Sequence, residues 1–483
     1  MAVEASIADR LRQAQQWHLE GRWDQAEYAY MALLNAAPHN PQLLYLAGTL
    51  HLQRSQFGLA LHLLQAAVYE APDFVEAHIN LAAAAFRLGK FDQARKVLEQ
   101  AVALHPDHPD ALASLAALYV NDGQPERVLE YAAAALKQRP DLAVARWNAA
   151  QAHLELGQWE QGWQQYSAGY LTGDRVRKAY PVLGELPEWD GTFGKRVLVH
   201  GEMGLGDEIL FAGCLPDLEA KSTAVVFDCH ARLEPLFRRS FPGTTVIGTR
   251  KDDAPAWPNP PQVDRVCGIG DLPAIFRNRD EDFPRREHYL VADPDRVDHY
   301  RRRLAALEGT GPRIAIAWRG GTAPTRTDLR SIPLSQWRPI LDGAARGGAV
   351  FVSVQYTPGA AEEALAQGVT HWQPAIDDLD EQAALLSACD LVISVCQTVV
   401  HLAGALGVPT WCLVPSRPAW RYGVRGDSLP WYSSVRLFRQ ERAHESLPEP
   451  WAAVIRQVAD VAEECAANFR SSAAPPSLPG ARR

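Results

Sequence analysis

The chain has 483 residues, enough for two or three domains, since one core rarely grows past roughly 250 to 300 residues. With 48 Lys plus Arg against 57 Asp plus Glu, its net charge of −9 gives no basic footprint for DNA or RNA, so no nucleic-acid partner is expected. Seven scattered cysteines without a CxxC pair or His-flanked cluster, and the lack of a signal-like or membrane-spanning apolar run, exclude a disulfide framework and a zinc site and predict a cytoplasmic protein with no transmembrane segment.

In chain order, the first signal is a period. Pro38, Pro72, Pro106 and Pro140 stand 34 residues apart, and Gly21, Gly89, Gly123 and Gly157 keep the same phase, with Ser55 in the place of a missing glycine. Two positions later come Trp23, Phe57, Phe91, Pro125 and Trp159, and three further on Ala26, Ala60, Ala94, Val128 and Gly162, so four units are clear and a fifth is degrading. Apolar spacing in "DFVEAHINLAAAAFRL" and "FDQARKVLEQAVALHP" predicts two antiparallel helices per unit, the glycine ending the first and the proline lying in the turn to the next. This pattern resembles the tetratricopeptide repeat. The resemblance implies an all-α solenoid over residues 1–172 that holds a protein partner along the groove lined by each first helix. Eight residues after the prolines come Leu46, Asn80, Ser114 and Asn148. In the protein O-GlcNAc transferases asparagines at this place grip the acceptor backbone, which makes Asn80, Ser114 and Asn148 candidate acceptor contacts, with an incidental polar face as the other reading.

Residues 173–195, with "PVLGELPEWDGTFGK", read as a connector. Short β-branched runs then alternate with helix-like segments: "RVLVH" (196–200), "AVVFDC" (224–229), "TTVIG" (244–248), "RIAIAW" (313–318), "AVFVSVQ" (349–355), "LVISV" (391–395) and "TWCLVP" (410–415). Parallel α/β lobes are expected over 196–305 and 306–445, followed by a closing helix in 446–470 and a disordered tail at 471–483.

The first strand runs into "GEMGLGDEILFAGCLPDL" (201–218) and a helix over "DEILFAGCLPDLEA". Its glycines have neither the P-loop nor the GxGxxG spacing, so neither ATP hydrolysis nor hydride transfer is indicated. Gly204 and Gly206 can bring backbone amides close to an anion, and Asp207 sits where open α/β sheets place their sites. Asp207 has two readings, a helix N-cap and a general base for an acceptor hydroxyl. In the second lobe, "WRGGTAPTRTDLRSIPLSQW" (318–337) supplies Arg319, Arg326 and Arg330, and the strand "LVISV" ends in Cys396, Gln397 and Thr398 before a helix near His401. Amides, a hydroxyl and guanidinium groups together suit a diphosphate. Taken singly, each arginine also reads as a surface partner and His401 as a packing residue. Trp420, Tyr422, Trp431 and Tyr432 read as lobe packing ahead of sugar stacking.

Together these segments resemble GT-B glycosyltransferases of the heptosyltransferase-like kind, especially bacterial proteins that fuse tetratricopeptide repeats to such a domain. Gly206-Asp207 upstream of Leu215-Pro216 matches the Gly-Asp pair whose acid is the base of that family, and Arg330 before Pro333 matches its donor-phosphate contact. Cys396, Gln397 and Thr398 stand where the family has Asp-Thr-Gly. The resemblance implies two Rossmann-like lobes and a metal-independent, inverting glycosyltransferase without a cofactor. A nucleotide-sugar donor would lie on Gly204, Gly206, Arg319, Arg326, Arg330, Gln397, Thr398 and His401. Asp207 would act on a Ser or Thr of a protein acceptor, a flagellin being one candidate. Two further readings are an inactive scaffold with a degenerate transferase domain and a transferase acting on lipopolysaccharide or capsule.

Overall fold

The computed structural model describes residues 7–250, 257, 259–321 and 326–469, so the expected tail at 471–483 lies outside the described residues. The chain divides into two compact units, Met1–Ala152 and His153–Arg483. In the first, helices Ile7–Leu19, Pro41–Gln53, Val75–Arg87 and Pro109–Asn121 alternate with Trp23–Ala36, Phe57–Glu70, Phe91–Leu104 and Pro125–Gln138, each start 34 residues after its counterpart. Ala26, Ala60 and Ala94 are fully buried and Val128 is nearly so, because a residue this small lets neighbouring helices touch. The repeat glycines Gly21, Gly89, Gly123 and Gly157 are all left-handed, with φ between 63° and 74°. A Cβ built on Gly21, Gly89 or Gly157 would meet nothing within 4 Å, so conformation alone selects glycine there. Ser55 takes the same turn at φ 59° and carries the strain that glycine avoids.

Helix Ala143–Glu155 runs across the division between the units, and its pair, Trp159–Tyr166, lies in the second unit and is only 8 residues long. The second unit holds two sheets. Strands β1 (Arg196–His200), β2 (Ala224–Asp228), β3 (Thr244–Ile247) and β4 (Arg265–Gly268) form a parallel sheet in the order β3-β2-β1-β4. Strands β5 (Arg313–Ala317), β6 (Val350–Ser353), β7 (Thr370–His371), β8 (Leu391–Val395), β9 (Thr410–Val414), β10 (Ser428–Leu429) and β11 (Tyr432–Arg439) form the other, in the order β10-β11-β9-β8-β5-β6-β7. All its pairings are parallel except β10 with β11. In both sheets the first strand lies between the second and the fourth, the Rossmann-like order whose crevice opens at the carboxyl ends of those central strands. Helix Ala452–Phe469 packs beside helix Arg338–Arg346, and its Val454, Ile455 and Val458 join Trp318, Trp337 and Trp411 in one core.

The expected helix over "DEILFAGCLPDLEA" is two helices, Leu205–Ala212 and Leu215–Glu219, because Pro216 starts the second and cannot continue the first. The connector has a structural role of its own. Arg175 is fully buried, pairing with Glu202 after β1 and with Asp271 (2.8 Å) after β4, while Lys178 pairs with Asp228 at 2.9 Å. Such enclosure of opposite charges is tolerated only because hydrogen bonds accompany it. Glu202 accepts from the Arg175 Nε at 3.0 Å and from the Gly270 amide at 2.9 Å.

Substituting Ser55→Gly relieves a left-handed side chain and is expected to raise stability of the repeat unit by up to about 1 kcal/mol, while Gly89→Ala lowers it by a similar amount. Urea denaturation of the two variants checks this; equal and unchanged midpoints would mean the left-handed turns carry no strain.

Candidate functional site at the carboxyl ends of the two sheets

The segment after β1 is shaped by close contacts at each glycine. A Cβ on Gly201 would stand 2.5 Å from the buried Glu208 carboxyl carbon, and one on Gly206 would stand 3.0 Å from Cδ2 of His401 and 3.6 Å from the Thr398 Cα. Gly206 is therefore where helix Leu205–Ala212 of the first lobe meets helix Thr398–Ala405 of the second. Gly204 caps the first of these helices, its amide donating to Asp207 Oδ2 at 3.2 Å. Met203, the residue before it, is left-handed at φ 62° and is held by Arg250, whose Nη1 donates to its carbonyl at 3.1 Å.

Glu208 is fully enclosed, pairs with Arg250 and accepts from the His230 amide at 2.9 Å. Burial pushes its carboxyl up to about 7, with Arg250 opposing that rise. Asp207, next to it, pairs with Arg421 of the second lobe. Both side chains are largely enclosed.

At the second sheet the crevice lies between the ends of β5 and β8. Gly320, just past β5, approaches so closely that a Cβ would meet the Cys396 carbonyl oxygen at 2.5 Å. Arg330 donates from Nη1 to that same carbonyl at 3.2 Å. Helix Thr398–Ala405 begins here with Gln397 as its cap residue, extended and buried, and Gln397 Oε1 has no hydrogen-bond partner among the described residues. Arg319 is turned to Glu363 at 2.7 Å and its amide donates to Gln355 at 2.8 Å. Arg326 is left-handed at φ 57°, donates to the Pro418 carbonyl at 3.3 Å, and is pushed below its ordinary pKa by burial, with Glu155 opposing. His401 is buried with its two ring nitrogens 3.3 Å from the hydroxyls of Tyr432 and Tyr422. Burial, then the charges of Arg421 and Arg330, hold it well below the usual histidine range, so it is neutral.

Three further arginines that the sequence patterns did not single out line the same end of the sheet. Arg417 follows β9 and pairs with Glu445 at 2.9 Å, Arg421 follows it in the turn Trp420–Tyr422, and Arg439 closes β11, donating to the carbonyl of Gly423 at 3.0 Å. The stretch 417–440 shows them among aromatics, but only the parallel strand ends bring Arg417 and Arg421 together with Arg439.

The four aromatics of 420–432 are packed. Trp420 lies 5.6 Å from Trp163 and 6.1 Å from Tyr166, and Trp431 lies 4.9 Å from Phe283 and 5.9 Å from Phe211, centroid to centroid. Tyr422 and Tyr432 flank His401. In the first unit, a cavity of about 390 Å³ is lined by Ile79, Phe86 and Leu118 with Ser114 at its wall. Asn80 donates to Thr49 at 2.9 Å, and Asn148 is buried, donating to the Ala113 carbonyl at 3.3 Å.

All seven cysteines are free and buried, with Cys396 and Cys412 sulfurs 3.7 Å apart. Among the described residues no three His, Cys, Asp or Glu gather as a metal site, and no helix is long and apolar enough to cross a membrane.

A family model described as the tetratricopeptide repeat matches residues 51–119 and 85–130. The helical pairs of the first unit are tetratricopeptide repeats. The chain is 32% identical over 392 residues to Protein FlbA of Caulobacter vibrioides, an alignment that takes in 77% of this chain and 59% of that protein. The chain thus spans about three fifths of the length of that relative. Among solved structures it is similar to a MamA (21% identity, TM-score 0.30, 33% of this chain and 94% of that one). A thermophilic tetratricopeptide protein of Thermus thermophilus is similar at 21% identity and TM-score 0.31, over 35% of this chain and 92% of that one. YrrB, described as having an unusual peptide-binding site, is similar at 17% identity and TM-score 0.29, over 35% and 86%.

Gly206→Ala is expected to cost about 1–3 kcal/mol, since His401 is fixed by two tyrosines and cannot yield to the added methyl. A melting temperature equal to wild type would show that the two helices can separate freely there. Glu208, raised by burial, favours the native state when protonated. Stability should therefore be complete below the ordinary carboxylate range and fall as pH rises through about 7, a slope that Glu208→Gln removes in denaturation series across that range.

Proposed function

We propose that the second unit is an inverting, metal-independent glycosyltransferase of the GT-B type, using a nucleotide-sugar and no cofactor. The observation that carries this reading is the convergence of arginines and a helix N-terminus on the β5–β8 crevice, facing a carboxylate from the first lobe. The donor diphosphate lies against Arg330, the amides at Thr398 and Gln397, with Arg417 and Arg421 alongside. Asp207 accepts the proton of an acceptor hydroxyl. The hydroxyl oxygen bonds to the anomeric carbon from the opposite face as the bond to the diphosphate breaks, so configuration inverts. Charge that develops on the departing phosphate meets positive groups already in place, which lowers the barrier.

The tetratricopeptide repeats support a protein acceptor, because such arrays hold other chains along their groove, and a Ser or Thr hydroxyl is the group Asp207 would deprotonate. A flagellin is one candidate acceptor, on the family resemblance alone. A second reading, a scaffold without transfer activity, is favoured by one observation: the Asp207 carboxylate is already engaged by the Gly204 amide and Arg421.

Thermal unfolding with UDP, GDP, ADP and CMP separates these. One nucleotide at about 100 times its Kd is expected to stabilise the wild type by about 2.7 kcal/mol, and Arg330→Ala to abolish the gain. If none of the four stabilises the chain, the scaffold reading takes its place. With the donor class known, label transferred to protein and not to glycolipid identifies the acceptor class.

A further inference from the structure

Asp207 and Arg421 come from different lobes. Asp207 stands in the first turn of helix Leu205–Ala212, and Arg421 in the short turn after β9. Their side chains are 17% and 14% exposed and form an ion pair. The Arg421 guanidinium lies 5.3 Å from the Trp420 ring centroid, and its Nε, although buried, donates to no acceptor among the described residues. Arg421 and Arg330, the residue read as the donor-phosphate contact, both bear on the buried His401 of helix Thr398–Ala405. Arg421 is thus a cation with donor capacity left over, next to the place assigned to a diphosphate. Asp207 and that diphosphate need the same guanidinium, and a fork of N–H donors suits phosphate oxygens at least as well as a carboxylate.

We propose that the Asp207–Arg421 pair is a latch between the lobes that the donor's phosphate opens. Arg421 turns from the carboxylate to the phosphate, and Asp207, freed from its pair, becomes available to the acceptor hydroxyl. This rests on the donor-site reading above. Arg421 is then a positioning residue that couples donor loading to exposure of the base, so that the carboxylate is withheld while the donor site is empty. Competition for one cation has a thermodynamic signature. Removing the charge of Asp207 must strengthen nucleotide binding, and this gain must pass through Arg421.

The experiment is calorimetric titration of UDP, GDP, ADP and CMP into wild type, Asp207→Asn, Arg421→Ala and the double variant, each first shown to melt cooperatively. Asparagine keeps an oxygen for the Gly204 amide, so the helix cap survives, and the double variant leaves neither charge buried alone. The nucleotide that binds wild type is expected to bind Asp207→Asn at least about fivefold more tightly and Arg421→Ala more weakly, and the gain from Asp207→Asn should vanish when Arg421 is absent. Equal or weaker binding to Asp207→Asn, or a gain that persists without Arg421, overturns the latch and leaves the donor site standing. If no nucleotide binds wild type or any variant, the donor site and the latch fall together.

Discussion

The second unit depends on an aromatic seam between its lobes. Trp159, Trp163 and Tyr166, from the short helix that completes the repeat pattern, meet Phe211 and Phe283 of the first lobe and Trp420 and Trp431 of the second. The buried indoles also find polar partners, Trp163 donating to the Arg277 carbonyl and Trp159 to Asp280, each at 2.8 Å. Each such ring is worth about 1.5–3 kcal/mol in burial, and ring pairs add about 0.5–1.5 kcal/mol more. Phe211 is one helical turn from Asp207, on the same face, and Trp420 immediately precedes Arg421. The seam therefore sets where the carboxylate and the guanidinium stand.

Charge is arranged around that seam with two different logics. On the first sheet, Arg175 with Glu202 and Asp271, and Arg250 with Glu208, fix the loops that follow β1 and β4. These are enclosed pairs, costly to separate, and they shape backbone. On the second sheet positive groups outnumber their carboxylates, with Arg326, Arg330, Arg417, Arg421 and Arg439 near Glu155, Glu445, Asp427 and Asp207. A surplus of one sign at the carboxyl ends of strands focuses potential into the crevice.

The repeat helices were legible because a 34-residue period states both their length and their turns, and the strands of both sheets because buried parallel strands are continuous apolar runs. β7 and β10 have two residues each, β4 (RVCG) has only two apolar residues in its four, and β11 is interrupted by Ser433, Ser434, Arg436 and Arg439, so none of these stands out that way. The glycines of 201–206 were legible as positions needing closeness, yet what comes close is Glu208, Asp207 and His401, residues of the chain itself, which no spacing reveals. The roles of Arg175 and Arg421 were invisible for the same reason: each stands among other basic residues, Arg177 and Lys178 or Arg417 and Arg425, and only the packing of distant segments shows which one is enclosed.

The missing side chain at Gly206 has a mechanical consequence. Two helices from different lobes touch there, the Gly206 backbone against the His401 ring and Thr398, and the aromatic seam runs alongside, so a hinge that swung the lobes apart would have to break the contact and expose several large rings at once. Rotation of individual side chains, on the fast timescale of rotamer exchange, opens the crevice at less cost than separating the lobes.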